Sequence, residues 1–101
     1  MYGGTISGNT ARDGGGGVYS SYEIFKKLPP IGGGQNSGII YGYEATGVDE
    51  NGLPLRNTGS SPAIYINGAG LRRDTTAWET DHIDSETGRG LSANGNPPFG
   101  Q

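Results

Sequence analysis

The residues best suited to chemistry lie near the C-terminal end, in the stretch "ETDHIDSE" at residues 79–86. Its ionisable side chains are Glu79, Asp81, His82, Asp84 and Glu86. Carboxylate oxygens are the ligands that Ca²⁺ prefers, which makes Asp81, Asp84 and Glu86 candidate calcium ligands. A carboxylate pair with the single histidine could instead act as general acid and base. The same composition also fits a solvated acidic loop, and all three alternatives stay open.

Four tyrosines form a second candidate group, because they fall in short strand-like runs along the chain. They are Tyr19, Tyr41, Tyr43 and Tyr65. If they face outward on one side, they form an aromatic strip that could stack on sugar rings. Alternatively, outward tyrosines pair with one another across neighbouring strands and shield the sheet. The first alternative predicts a glycan-binding surface.

Two further motifs indicate turns. "VDENG" at 48–52 resembles part of a calcium-binding helix–loop–helix motif, but it lacks the required spacing and predicts a hairpin turn. "GGGG" at 14–17 is not followed by Lys-Ser or Lys-Thr, so it predicts a chain corner and no phosphate loop. The chain has no cysteine, which excludes disulfides, thiolate metal sites and thiol catalysis. Calcium is therefore the one cofactor that the sequence suggests.

The composition favours a turn-dense β-protein over a conventional globule. Of 101 residues, 21 are glycine and 6 are proline, and only 31% are hydrophobic, so the core must be small. The net charge is −3 and no basic run exceeds a dipeptide, which argues against a nucleic-acid partner. No apolar run approaches the roughly 20 residues that span a bilayer. The first residues lack a signal-peptide pattern, so we expect any export signal to lie upstream.

Short strand-like runs are the elements that must position these groups. They lie at 4–8, 16–21, 22–28, 37–44 and 62–68, with a weaker one at 71–76. Glycine, proline or Asn-Gly flanks each run, and no segment has helical periodicity. The sequence therefore predicts an all-β fold.

An internal repeat relates these runs to one another. "GTISG" at 4–8 aligns with "GIIYG" at 38–42, a shift of 34, and "GVYS" at 17–20 aligns with "AIYI" at 63–66, a shift of 46. The difference predicts a 12-residue insertion, visible as the polar segment at 46–61, which should project as a hairpin or loop.

The stretch "GGTISGNTARDGGGGVY" and its second copy resemble the glycine-rich repeats of right-handed parallel β-helix surface proteins of bacteria. The later part of the chain resembles the closing coils of such arrays. The resemblance implies a short parallel β-helix, or solenoid, of about two to three coils over 1–76, with an irregular C-terminal cap or flexible tail at 77–101. It implies an extracellular or cell-surface location and a structural or adhesive role. It implies no catalytic residues, and we expect no enzyme.

In such a solenoid each coil buries its side chains against the coils on either side. Alternation along the strands then predicts an inward core stack of Ile6, Val18, Ile40, Ile64 and Ile66. Glycines at 4, 8, 38 and 42 should allow sharp corners, and Asn9 should form a ladder with its counterpart in the next coil. Trp78 and Phe99 are the expected apolar plugs of the cap.

So few coils leave strand edges open, and open edges are templates for pairing. We therefore expect neighbouring coils of a longer parent chain, or identical subunits, as partners. A glycan-binding module using the four tyrosines and a self-assembling fibre subunit are the alternative functions.

Overall fold

A computed structural model describes residues 3–21, 24–28, 38–68, 70–74 and 82–96. Within these ranges the chain forms strands and turns and no helix, which confirms the predicted all-β class. The strands are shorter than the predicted runs. They are β1 (Thr5–Ile6), β2 (Val18–Ser20), β3 (Lys26–Lys27), β4 (Ile39–Ile40), β5 (Ile64–Ile66), β6 (Leu71–Arg73) and β7 (Ile83–Asp84). Glu79, Asp81, Trp78 and Phe99 lie outside the described residues.

Two parallel strand pairs join residues 4–20, here called the first layer, to residues 38–66, the second layer. β1 pairs with β4, and Ile6 lies opposite Ile40, 34 positions away. β2 pairs with β5, and Val18 lies opposite Ile64, 46 positions away. The two shifts between the sequence repeats are therefore the registers of the two parallel pairs.

The glycine run before β2 extends this parallel contact. Gly16 N donates to Ser61 O at 3.1 Å, and Gly17 N donates to Pro62 O at 3.0 Å. A Cβ atom on Gly16 would lie 2.5 Å from Thr58 O, so only glycine permits the two backbones to approach this closely. The chain bends just before, at Gly14, whose φ of +73° favours glycine.

The predicted insertion forms a small hairpin. Val48 bridges to Pro54, Asp49 N donates to Leu53 O at 2.8 Å, and Gly52 occupies the turn with a φ of +80°. This confirms the hairpin predicted for "VDENG". The chain rejoins the first layer at Leu55, whose carbonyl accepts from Gly8 N at 3.0 Å. Only the first part of the predicted loop at 46–61 therefore projects.

The remaining pairs are antiparallel, so the described residues form three small sheets, of which one is parallel, one antiparallel and one mixed. β6 pairs with the far edge of β5, and β3 pairs with β7. An additional bridge joins Arg72 to Ser92. The described part of the predicted cap or tail, residues 82–96, is thus hydrogen-bonded to β3 and β6.

The core lies mainly between the second layer and the C-terminal segment. Its buried members are Ile40, Ala63, Ile64, Ile66, Ile83 and Leu91, and the partly buried side chains packed against them are Ile6, Val18, Phe25 and Leu71. Three members of the predicted core stack are thus buried and the two from the first layer are half-buried. Lys27 and Arg73 are also buried. Among the described residues no helix is long and apolar enough to cross a membrane.

Candidate functional site

An asparagine ladder fastens the first layer to the second. Asn57 Oδ1 accepts hydrogen bonds from Asn9 N at 2.8 Å and from Asn9 Nδ2 at 3.1 Å. Asn57 Nδ2 donates to Tyr41 O at 2.7 Å and to Ile6 O at 3.1 Å. Asn57 has no exposed surface. The ladder predicted for Asn9 is therefore present, with Asn57 as its counterpart.

Two of the four candidate tyrosines pair with each other across the layers. The ring centroids of Tyr19 and Tyr65 are 5.7 Å apart, with the rings tilted by 32°. The hydroxyl of Tyr65 donates to Asn67 Oδ1 at 3.2 Å. Tyr19 remains 54% exposed. This pair fits the expected role of shielding the sheet.

Tyr43 lies elsewhere, at the side of an open hollow of about 490 Å³. The hollow forms where the turn after β4, the run before β5 and the residue after β6 meet. It is lined by Tyr43, Thr58, Gly59, Ser60, Pro62 and Asp74. Tyr41 is half-buried and does not line the hollow, so the four candidate tyrosines occupy different surroundings.

Two acidic side chains, Asp74 and Glu44, and the arginine Arg72 supply the charges at this hollow. Burial raises the pKa of the Asp74 carboxyl, although the nearby charge of Arg72 and the Ser61 hydroxyl favour its ionised form. Arg72 Nε lies 3.1 Å from Asp74 Oδ2, whereas Asp74 Oδ1 is buried and accepts no hydrogen bond from the described residues. The negative charge of Glu44 raises the pKa of the Tyr43 hydroxyl. Burial, a hydrogen bond to Glu44 and the charge of Asp74 raise this pKa further.

The described carboxylates of the predicted calcium group are engaged with a lysine. Lys26 Nζ lies 2.5 Å from Glu86 Oε2 and 3.7 Å from Asp84 Oδ2. Asp84 Oδ1 also accepts from Glu86 N at 2.9 Å, which closes the turn after β7. In the part of the chain that the structure describes, no three His, Cys, Asp or Glu side chains are grouped to hold a metal ion. His82 is half-buried.

The two layers differ in what covers their strand edges. β5 is the central strand of its sheet, because β2 pairs with one edge and the antiparallel β6 with the other. β2 is an edge strand, and β1 pairs with β4 alone. Within the described ranges, the outer edges of β1 and β2 therefore face no other strand. These two edges are here called the open edge.

Sequence reasoning missed Asn57 and Asp74. The signal for Asn57 was available, since the dipeptide Asn-Thr occurs at 9–10 and again at 57–58. Asp74 carries no comparable signal, because its role depends on three segments that meet only in the folded chain.

Comparisons of the chain with protein-family models, with curated proteins and with solved structures find no significant match. The function of this chain is therefore inferred from its own residues and their arrangement.

Proposed function

We propose that this chain is a non-catalytic structural or adhesive segment of an extracellular or cell-surface protein, and that it forms the closing end of a parallel β-solenoid. The observation that carries the proposal is the contrast between its two layers. The first layer presents an open edge, and at β5 the second layer is covered by the antiparallel β6. The resemblance of the glycine-framed repeat to bacterial surface proteins supports the location.

The parallel registers support the stacking of coils. In a solenoid, equivalent positions of successive coils lie side by side. Here Ile6 lies beside Ile40 and Val18 beside Ile64, and the buried Asn57 hydrogen-bonds Asn9. Ile6 and Val18 are only half-buried, which is expected if a further coil covers the first layer in the parent protein.

The open edge has backbone groups that such a coil could bind. Ile39 N donates to Gly4 O at 2.9 Å, and Val18 N donates to Ala63 O at 3.0 Å, so these groups point to the second layer. Because N–H and C=O directions alternate along a strand, those of Thr5 and Tyr19 point away from it. The partner is then another coil, either from a longer parent chain or from an identical subunit.

The covered edge limits how identical chains can assemble. Head-to-tail stacking at the longer strand pair would need β2 of one chain to pair with β5 of the next, and β6 already occupies that place. Within the described residues the two-residue β4 pairs with β1 alone, so it is the second-layer strand at which such stacking would have to begin. Two chains can still pair open edge to open edge, which gives a closed two-fold dimer. A fibre subunit, in contrast, needs two available edges.

The solution mass of the purified chain, measured by light scattering over a wide dilution series, tests this proposal. We expect a monomer that converts to a dimer as concentration rises and grows no further. Thr5→Pro removes the outward N–H of β1 and should shift this equilibrium toward monomer, whereas Thr5→Val keeps that N–H and is the matched control.

Each other outcome would contradict part of the proposal. A monomer at every concentration, for both the wild type and Thr5→Val, would show that the open edge does not pair. Growth beyond the dimer would favour the fibre subunit, since a second edge, at β4 or at β5, would then pair with another chain. Thermal unfolding of each variant shows whether a change in mass reflects loss of the fold.

A further inference from the structure

The hollow beside Tyr43 combines three kinds of surface. The Tyr43 side chain is 45% exposed and offers an aromatic ring. Thr58 and Ser60 contribute hydroxyl groups. Asp74 contributes a carboxylate, and its side chain is 13% exposed. The volume of about 490 Å³ is that of a typical small-ligand site.

The two hydroxyl groups are held in place by the first layer. Ser60 Oγ accepts a hydrogen bond from Gly14 N at 2.8 Å, so its own proton remains available for donation. Thr58 Oγ1 lies 3.1 Å from Thr10 Oγ1, which fixes its position. Because these side chains are already ordered, a ligand that binds them loses little affinity to side-chain ordering.

The charge of the hollow restricts the class of ligand. Asp74 lines it, and Arg72 Nε lies 3.1 Å from Asp74 Oδ2, so these two charges offset each other. Glu44 acts on the Tyr43 hydroxyl, so the formal charge of the three groups together is −1. Phosphate, sulfate and uronate groups are therefore disfavoured. A carboxylate accepts strong hydrogen bonds from neutral hydroxyl groups, and an aromatic ring packs against the C–H face of a sugar.

We propose that this hollow binds a neutral carbohydrate, with one sugar ring stacked on Tyr43 and its hydroxyl groups hydrogen-bonded by Ser60, Thr58 and Asp74. This role goes beyond the stacking of coils. It also differs from a continuous tyrosine strip, because Tyr19 and Tyr65 are engaged with each other.

The test is a titration of the ¹⁵N-labelled chain, followed by NMR, with cellohexaose, maltohexaose and chitotetraose as separate neutral probes. Choline is titrated as a cationic probe of the same negative surface. We expect at least one oligosaccharide to shift the amide signals of Tyr43, Gly59, Ser60 and Asp74. Choline should shift them less than that oligosaccharide at equal concentration.

Matched variants identify the stacking ring. Tyr43→Ala should weaken sugar binding about tenfold, since an aromatic contact and its buried area are lost. Tyr43→Phe keeps the ring and should bind within a few-fold of the wild type. Tyr19→Ala removes a more exposed tyrosine outside the hollow and should leave the affinity unchanged.

Three results would overturn the proposal: no shift with any of the neutral oligosaccharides, equal affinity in Tyr43→Ala, or stronger binding of choline than of every sugar. The amide spectrum of Tyr43→Ala reports its folding in the same experiment. Sugar binding and dimer formation have separate readouts, because Tyr43→Ala leaves the open edge intact and Thr5→Pro leaves the hollow intact. Failure of one proposal is therefore distinguishable from failure of the other.

Discussion

Asn57 lies in the second layer with its side-chain oxygen 2.8 Å from the backbone nitrogen of Asn9 in the first. The same buried amide donates to the carbonyls of Ile6 and Tyr41, so one side chain ties together three segments of backbone. In a chain with so few apolar residues, such a fully bonded polar group contributes to the specificity of the stack as well as to its stability.

Replacing Asn57 with alanine should lower the free energy of unfolding by about 2 to 3 kcal/mol, because buried backbone groups lose their partners. Urea denaturation followed by circular dichroism measures this change. Asn51→Ala, at an exposed position of the hairpin, is the matched control and should change stability by less than about 0.5 kcal/mol. Equal effects at the two positions would show that the ladder does not stabilise the stack.

Gly16→Ala should destabilise the fold by about 1 to 3 kcal/mol, since the added Cβ would press on backbone carbonyls that cannot move aside. Its nearest neighbours would be Thr58 O at 2.5 Å and Pro62 O at 2.7 Å. Gly3→Ala is the control, because a Cβ there meets no atom within 4 Å. The midpoints of thermal unfolding of the two variants give the comparison, and a tolerated Gly16→Ala would contradict the close approach of the layers.

The contact between Tyr19 and Tyr65 should be measurable by a double-mutant cycle. We expect Tyr19→Ala, Tyr65→Ala and the double variant to give a coupling free energy of about 0.5 kcal/mol, the usual size for a partly exposed aromatic pair on neighbouring strands. A coupling free energy of zero would mean that the two rings do not contact each other in solution.

The raised pKa of Asp74 predicts a pH dependence of stability. Because the folded chain binds this proton more tightly than the unfolded chain does, the carboxyl contributes most below the ordinary pKa of aspartate. That contribution is lost as the pH rises through the raised value in the folded state. Asp74→Asn should therefore gain stability relative to the wild type between about pH 3 and about pH 7.

Urea unfolding of both proteins at several pH values within this window measures the difference. If the wild type instead becomes more stable relative to Asp74→Asn as the pH rises, the attraction of Arg72 for the carboxylate outweighs the effect of burial. Arg72→Gln tests this directly, because loss of the guanidinium charge should raise the pKa of Asp74 further and steepen the pH dependence.

The two parallel registers could be predicted from the sequence because equivalent positions carry similar residues, such as Ile6 with Ile40 and Tyr19 with Tyr65. β7 could not be predicted in the same way. It has two residues, and its partner β3 lies far away in the chain, so no local pattern marks it. Ile83 and Leu91 were therefore missing from the predicted core, although both are buried.

The hollow lay beyond sequence analysis for a related reason. Tyr43 was predicted as a binding residue because of its chemistry, and its neighbours Ser60 and Asp74 come from segments that approach only after the layers have formed. Alternation along one strand predicts which side a residue faces, but it contains no information about the other segments that surround it.

The hairpin at 48–54 lies in the segment where the register rises from 34 at β1 to 48 at Thr10, before it settles at 46 from Gly15 onward. The number of residues between two strands can therefore change without changing which residues of the strands pair. Doubling the length of a flexible loop costs only about 0.6 kcal/mol, so residues can be added or removed at this point with little loss of stability. The two sides of the hairpin already present exposed Val48 and Leu53. The hairpin is therefore the position at which a foreign peptide could be displayed, or a new surface acquired, while both layers keep their pairing.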